Sequence, residues 1–136
     1  MPKMLRVYSD GGARGNPGPA ATAFLALNEN GEVIKAASSY IGIHTNNQAE
    51  YEALIAALEY AVNSKAQEVI CHLDSELVAK QLRGEYKVKN PDLKKLSTKA
   101  QALIRQFKKA EFINVPRTNI QIQKADALVN KTLDQQ

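Results

Sequence analysis

With 136 residues, 44% of them apolar and 24% charged, the chain has the length and balance of one soluble domain, residues 1–136, with an ordinary core. No run approaches the roughly 20 apolar residues of a membrane span. The start Met1-Pro2-Lys3-Met4-Leu5-Arg6 lacks the apolar centre of a signal peptide, and the single Cys71 closes no disulfide within the chain. A cytoplasmic, monomeric protein without membrane contact is the expectation. The net charge of +4 is unevenly spread. From Lys80 to Lys109 ten Lys or Arg stand against Glu85 and Asp92, so this segment carries +8 and the remainder −4. A basic block of that kind attracts polyanions, and a solvated helix face is its plain alternative.

Leu5 to Asp10 reads as a strand that ends on a carboxylate. Gly11, Gly12, Gly15 and Gly18, with Pro17 and Pro19, follow as a loop whose lack of bulk admits another backbone or a phosphate. Ala20 to Leu27 is a second strand. Asn28-Glu29-Asn30-Gly31 carries the Asn-Gly hairpin signal, and Glu32 to Ile43 is a third strand, giving an antiparallel meander. His44-Thr45-Asn46-Asn47 supplies helix-start chemistry for a helix from Gln48 to Ser64. Its apolar stripe of Leu54, Ala57 and Ala61 includes Glu50, a carboxylate on a buried face that demands a positive partner.

Glu68 to Asp74 is a near-continuous apolar run, as in a buried central strand, and it too ends in an aspartate. His72, inside this run, reads as structural. Ser75 opens a helix from Glu76 to about Leu82, which Gly84 ends. Tyr86 to Asn90 is a basic connection, and Pro91 starts a helix over Asp92 to Lys109 with outward lysines. Ala110 to Val115 is a fifth strand, Pro116 to Asn119 opens a loop, and Ala125 to Leu133 is a last helix with Asp126 on its stripe. Three strands followed by alternating strand and helix predict an α/β domain with one mixed sheet and helices on its faces.

Four carboxylates share a peculiarity. Asp10 and Asp74 each end a strand; Glu50 and Asp126 each sit near a helix start on a core-facing stripe. If the two strands are neighbours, Asp10 and Asp74 meet at one sheet edge, and the helix starts could then bring Glu50 and Asp126 over the same point, where four carboxylates cannot coexist as bare anions at pH 7. Oxygen-only ligation suits Mg²⁺ or Mn²⁺, and a pair of such ions suits in-line displacement at phosphorus.

At this point the motifs resemble those of the ribonuclease H type 1 family in its compact form. Tyr8-Ser9-Asp10-Gly11-Gly12 with Arg14-Gly15-Asn16-Pro17-Gly18 is similar to the family's first motif and Thr45-Asn46-Asn47-Gln48-Ala49-Glu50 to its second. Leu73-Asp74-Ser75 is similar to the third, and Val115-Pro116-Arg117 with Ala125-Asp126-Ala127-Leu128-Val129-Asn130 to the fourth. The resemblance implies a ribonuclease H-like fold, with a five-stranded mixed sheet of three antiparallel and then two parallel strands. It implies two Mg²⁺ ions, with Mn²⁺ as a substitute, held by Asp10, Glu50, Asp74 and Asp126, and cleavage of the RNA strand of an RNA/DNA hybrid to 5′-phosphate and 3′-hydroxyl ends. Double-stranded RNA is a further candidate substrate. Gly11, Gly12 and Arg14 would lie along the nucleic acid, Asn16, Asn46 and Asn47 in its minor groove, and Thr45 at a DNA phosphate. Lys87, Lys89, Lys94 and Lys95 would supply electrostatic attraction.

The chain departs from the family in three places. Gly84 to Pro91 is too short for the basic protrusion of many members. The histidine that many members carry in the loop before the last aspartate is missing here, where the only histidines are His44 and His72, and Arg117 is the nearest group for part of its role. Ile122 stands where the compact pattern has an Asn, and the Arg117-to-Asp126 spacing is two residues longer. A second function, a hybrid- or double-stranded-RNA-binding module with weak or lost turnover, would follow if that loop displaced Asp126. A sugar kinase or actin-like fold also begins with Asp-Gly-Gly, but it needs two such domains.

Overall fold

The computed structural model describes residues 2–136. Its elements run β1 (Met4–Ala13), β2 (Gly18–Leu27), β3 (Val33–His44), α1 (Asn46–Asn63), β4 (Glu68–Leu73), α2 (Glu76–Leu82), α3 (Pro91–Ile104), β5 (Lys109–Asn114) and α4 (Ile120–Asp134). The strands form one sheet in the order β3-β2-β1-β4-β5. β1–β2 and β2–β3 pair antiparallel, while β1–β4 and β4–β5 pair parallel. The expected meander and the two parallel additions are therefore both present. Asn28 closes the hairpin: its Oδ1 accepts from the Asn30 and Glu32 amides, each at 3.0 Å. Gly31 supplies the positive φ of 81° that the turn needs.

Side-chain alternation divides the apolar residues between two faces. Leu5, Val7, Val69, Cys71 and Leu73 point to one side, where they pack against Tyr51, Leu54 and Leu58 of α1, with α2 and α3 completing the layer. Ala21 and Ala23 point to the other side and meet Ala125, Val129 and Leu133 of α4. Each fully buried Leu or Val contributes roughly 1.5–3 kcal/mol. β2 is buried along almost its whole length because helices cover both of its faces. Its alanines let α4 lie close to the sheet. Among the described residues no helix is long and apolar enough to cross a membrane.

Three boundaries differ from the sequence reading by three residues or more, the others by two at most. β1 does not end at Asp10; it continues to Ala13, with Gly11 and Gly12 paired to Thr22 and Ala21 of β2. On its other edge the ladder with β4 stops at Ser9–Leu73, so Asp10 stands at a strand end on that side alone. α3 stops at Ile104 rather than Lys109, because the Lys108 amide bonds the Gln67 carbonyl at 2.8 Å and turns the chain onto the sheet. α4 begins at Ile120 rather than Ala125. Asn119 caps it, accepting from the Gln121 and Ile122 amides at 3.0 and 3.1 Å. Asp126 consequently lies in the helix body, not at its start, and the additional residues of this segment are absorbed as a first helical turn with Ile122 in the core.

Candidate metal and nucleic-acid site

Strand register places the first two acids. Ser9 and Leu73 are the last partners of the β1–β4 ladder, so Asp10 and Asp74 follow side by side. The third acid comes from α1, whose start is fixed by a capping box: the Gln48 amide donates to Thr45 Oγ1 at 3.1 Å and the Thr45 amide to Gln48 Oε1 at 2.8 Å. The first turn of this helix then lies directly on β1. Gly11 permits the approach, since a Cβ there would overlap the Ala49 carbonyl. The Gly11 amide donates to Glu50 Oε1 at 2.9 Å. One oxygen from each of Asp10, Glu50 and Asp74 lies within 4.8 Å of the others.

The negative charge of the buried Asp10–Glu50 pair has no cationic side chain in contact with it. Asp10 Oδ1 is buried and has no hydrogen-bond partner. Burial, reinforced by the Asp74 and Asp126 charges, pushes the Asp10 carboxyl up from 3.8 to about 7. Burial first, and the Asp10 charge second, hold Glu50 well above the usual carboxylate range despite the Gly11 amide. Hard oxygen donors crowded at this density fit a divalent cation such as those bound by carboxylate and water.

The fourth acid is held differently. Arg117, 66% exposed, donates from Nη1 to Asp74 Oδ2 at 2.6 Å and from Nη2 to Asp126 Oδ1 at 3.1 Å. Asp126 is 41% exposed, against 5% for Asp74. Its Oδ2 accepts from Asn130 Nδ2 at 3.3 Å. All four acids and Arg117 line one cavity of about 420 Å³, floored by Gly11 and Gly12.

The reverse transcriptase-like family matches residues 8–132. The ribonuclease HI of Halobacterium salinarum is 42% identical over 131 residues, 96% of this chain and 64% of that protein. The chain belongs to the ribonuclease H type 1 family. A crystal structure of RNase H1 from the same archaeon superposes with a TM-score of 0.92 at 39% identity, covering 98% of this chain and 99% of that one. A second ribonuclease H, LC11-RNase H1 in complex with an RNA/DNA hybrid, superposes with a TM-score of 0.88 at 39% identity, covering 96% and 97%. Against curated relatives the chain spans 64% of the archaeal protein and 35% of a bifunctional Mycobacterium tuberculosis protein.

The remaining residues singled out from the sequence lie around and beyond the acid cavity. Asn16, Thr45 and Asn47 border a second depression of about 240 Å³, together with Asn90 and Asp92 at the start of α3. Asn46 ties the glycine loop to α1: its Oδ1 accepts from the Ala13 amide at 2.9 Å, while its own amide donates to Asn16 Oδ1 at 3.0 Å. Both carboxamide oxygens are thus engaged, and the NH₂ groups remain as donors. Arg14 lies on the cavity wall, paired with Asp134 at 2.6 Å. Lys87, Lys89, Lys94 and Lys95 are exposed and border neither the acid cavity nor the second depression. Asn130, part of the fourth motif but given no role from the sequence, donates to the second oxygen of Asp126. Its signal was its position one helical turn beyond that acid.

Proposed function

We propose that this domain is a metal-dependent endoribonuclease that hydrolyses the RNA strand of RNA/DNA hybrids, leaving 5′-phosphate and 3′-hydroxyl ends. The observation that carries this reading is Asp10, a buried carboxyl with an unpartnered oxygen, gathered with Glu50 and Asp74 and facing an open cavity. Asp10, Glu50, Asp74 and Asp126 would hold two Mg²⁺ ions, with Mn²⁺ as a substitute. Bound there, such ions supply activation of the attacking water and stabilisation of the leaving oxygen.

The chain's own groups do the rest. The amide NH₂ donors of Asn16 and Asn46, with Asn47 beside them, face acceptors in the wide, shallow minor groove of a hybrid, including 2′-hydroxyls. Thr45, at the edge of the depression that Asn16 and Asn47 border, would meet a DNA phosphate. Gly11 and Gly12 leave the cavity floor free of side chains, so the scissile phosphate can descend to the acids. Arg117 and Arg14 carry donors at the rim, and the α3 lysines draw the polyanion in. The domain would act as a monomer in the cytoplasm.

Labelled RNA/DNA hybrid, double-stranded RNA and double-stranded DNA, each incubated with Mg²⁺, Mn²⁺ or EDTA, test the reading. Cleavage of the hybrid's RNA strand that stops in EDTA is the expected result. Hybrid binding without cleavage under every ion condition would instead make this a binding module.

A further inference from the structure

The two oxygens of Asp126 are both taken. Arg117 Nη2 donates to Oδ1 at 3.1 Å, and Asn130 Nδ2 donates to Oδ2 at 3.3 Å. Asp126 also lies outside the trio of acids whose oxygens converge within 4.8 Å. The situation at Asp10 is the reverse, because its buried Oδ1 has no donor to give up. An ion entering the Asp10–Glu50–Asp74 corner at that oxygen therefore displaces no donor from it. An ion that uses Asp126 must displace a donor first.

Arg117 is the donor that matters. It spans Asp74 and Asp126 with one guanidinium, so it occupies the electrostatic position of a cation between two carboxylates. Its side chain is 66% exposed, which gives it room to leave. We propose that Arg117 is an internal stand-in cation, pairing Asp74 with Asp126 in the ion-free protein and displaced by the ion that Asp126 helps to hold, so that the site fills in order. This rests on the metal-dependent reading above. The Asp10–Glu50 side of the corner, which Arg117 does not touch, fills first, and the position that requires Arg117 to leave Asp126 fills second and more weakly. Once released, Arg117 regains a partner when a substrate phosphate arrives, so hybrid binding and the second ion reinforce each other.

Calorimetric titration of Mg²⁺ and Mn²⁺, without nucleic acid, into the wild type, Arg117→Ala and Arg117→Lys separates the possibilities. Wild type should show one tighter and one weaker ion. Arg117→Ala should bind the weaker ion on the order of five- to tenfold more tightly, the equivalent of one or two exposed ion pairs. Arg117→Lys, which keeps the charge but not the fork, should fall between them. Adding Asp126→Asn to Arg117→Ala should remove the gain. In EDTA, Arg117→Ala should melt below wild type, and saturating ion should close that gap. Ion binding with unchanged or weakened affinity in Arg117→Ala would overturn the displacement of Arg117 while leaving the metal reading intact. Absence of ion binding in every variant would overturn the metal reading and this inference with it.

Discussion

Asp10, Glu50 and Asp74 are placed by backbone, whereas Asp126 and Arg117 are placed by charge. The first three depend on the last rung of a parallel ladder and on a helix turn seated on Gly11. The other two hold each other across a partly exposed gap, with Arg117 also tied to Asp74. Ladders and close packing move little, while exposed ion pairs contribute about 0–1 kcal/mol and rearrange readily. The site thus combines a rigid corner, built at a cost in buried like charge, with an adjustable one at its more exposed edge. Substitutions on the two sides should behave differently, and the differences can be ranked.

Asp10→Asn should have the largest effect. Removing the charge shared by the whole corner is expected to reduce hybrid cleavage on the order of 10³-fold, while binding of the hybrid persists through the amides and lysines. The same variant should be more stable than wild type without ions. Asp10 titrates near 7 in the fold, against 3.8 ordinarily. Between those values the folded state keeps a proton that the unfolded chain has lost, so wild-type stability falls as pH rises from about 4 to 7. Asn has no such loss. Its advantage should therefore grow between pH 5 and pH 8 in EDTA, by roughly 1–3 kcal/mol. Comparing the two chains cancels His72, whose burial lowers its pKa and acts in the opposite direction in both. An advantage equal at both pH values would mean that the Asp10 charge costs the fold nothing.

Gly11→Ala comes next and strikes the rigid corner without touching a carboxylate. The new methyl would overlap the Ala49 carbonyl. Either α1 lifts from β1, carrying Glu50 away, or the strand yields. A loss of roughly 3 kcal/mol in denaturant unfolding is expected, with cleavage falling by more than the stability loss explains. Gly12→Ala is the control, because its nearest neighbour would be Val129 at an ordinary 3.8 Å. If both variants unfold alike, the seating of α1 on Gly11 is not what positions Glu50.

How much of this is legible in the sequence follows the same division. Glu50 announces itself as an acid on an apolar stripe, and Asp10 and Asp74 as acids closing apolar runs; these are local patterns. The role of Gly11 differs in kind from its sequence reading. Glycines after Asp10 read as a break in the strand and an opening for substrate, yet they continue the ladder, and the closest approach at Gly11 is that of the chain's own helix. The first turn of α4 is hidden because Ile120-Gln121-Ile122-Gln123 alternates with period two, and only the Asn119 cap declares it a helix. The end of α3 is hidden because Phe107 continues the apolar stripe, while a backbone bond from Lys108 to a residue distant in sequence, Gln67, decides the matter. Nor could spacing reveal that Arg117 bridges two acids far apart in sequence.

The smallest expected effect tests the electrostatic approach rather than the chemistry. Lys94 and Lys95 are exposed near the start of α3, just beyond Asn90, whose side chain caps that helix and borders the depression with Asn16, Thr45 and Asn47. A hybrid lying across that depression would run its backbone past these lysines. Lys94→Ala/Lys95→Ala should leave the fold within about 0.5 kcal/mol of wild type, since both side chains are exposed. Hybrid affinity should fall, and the slope of log affinity against log salt should flatten by about 1 for each phosphate that is no longer neutralised. The maximal rate at saturating hybrid should stay near wild type, because both side chains lie outside the acid cavity. A weakened affinity with an unchanged slope would mean that neither lysine neutralises a phosphate, and that the hybrid leaves the depression along another face.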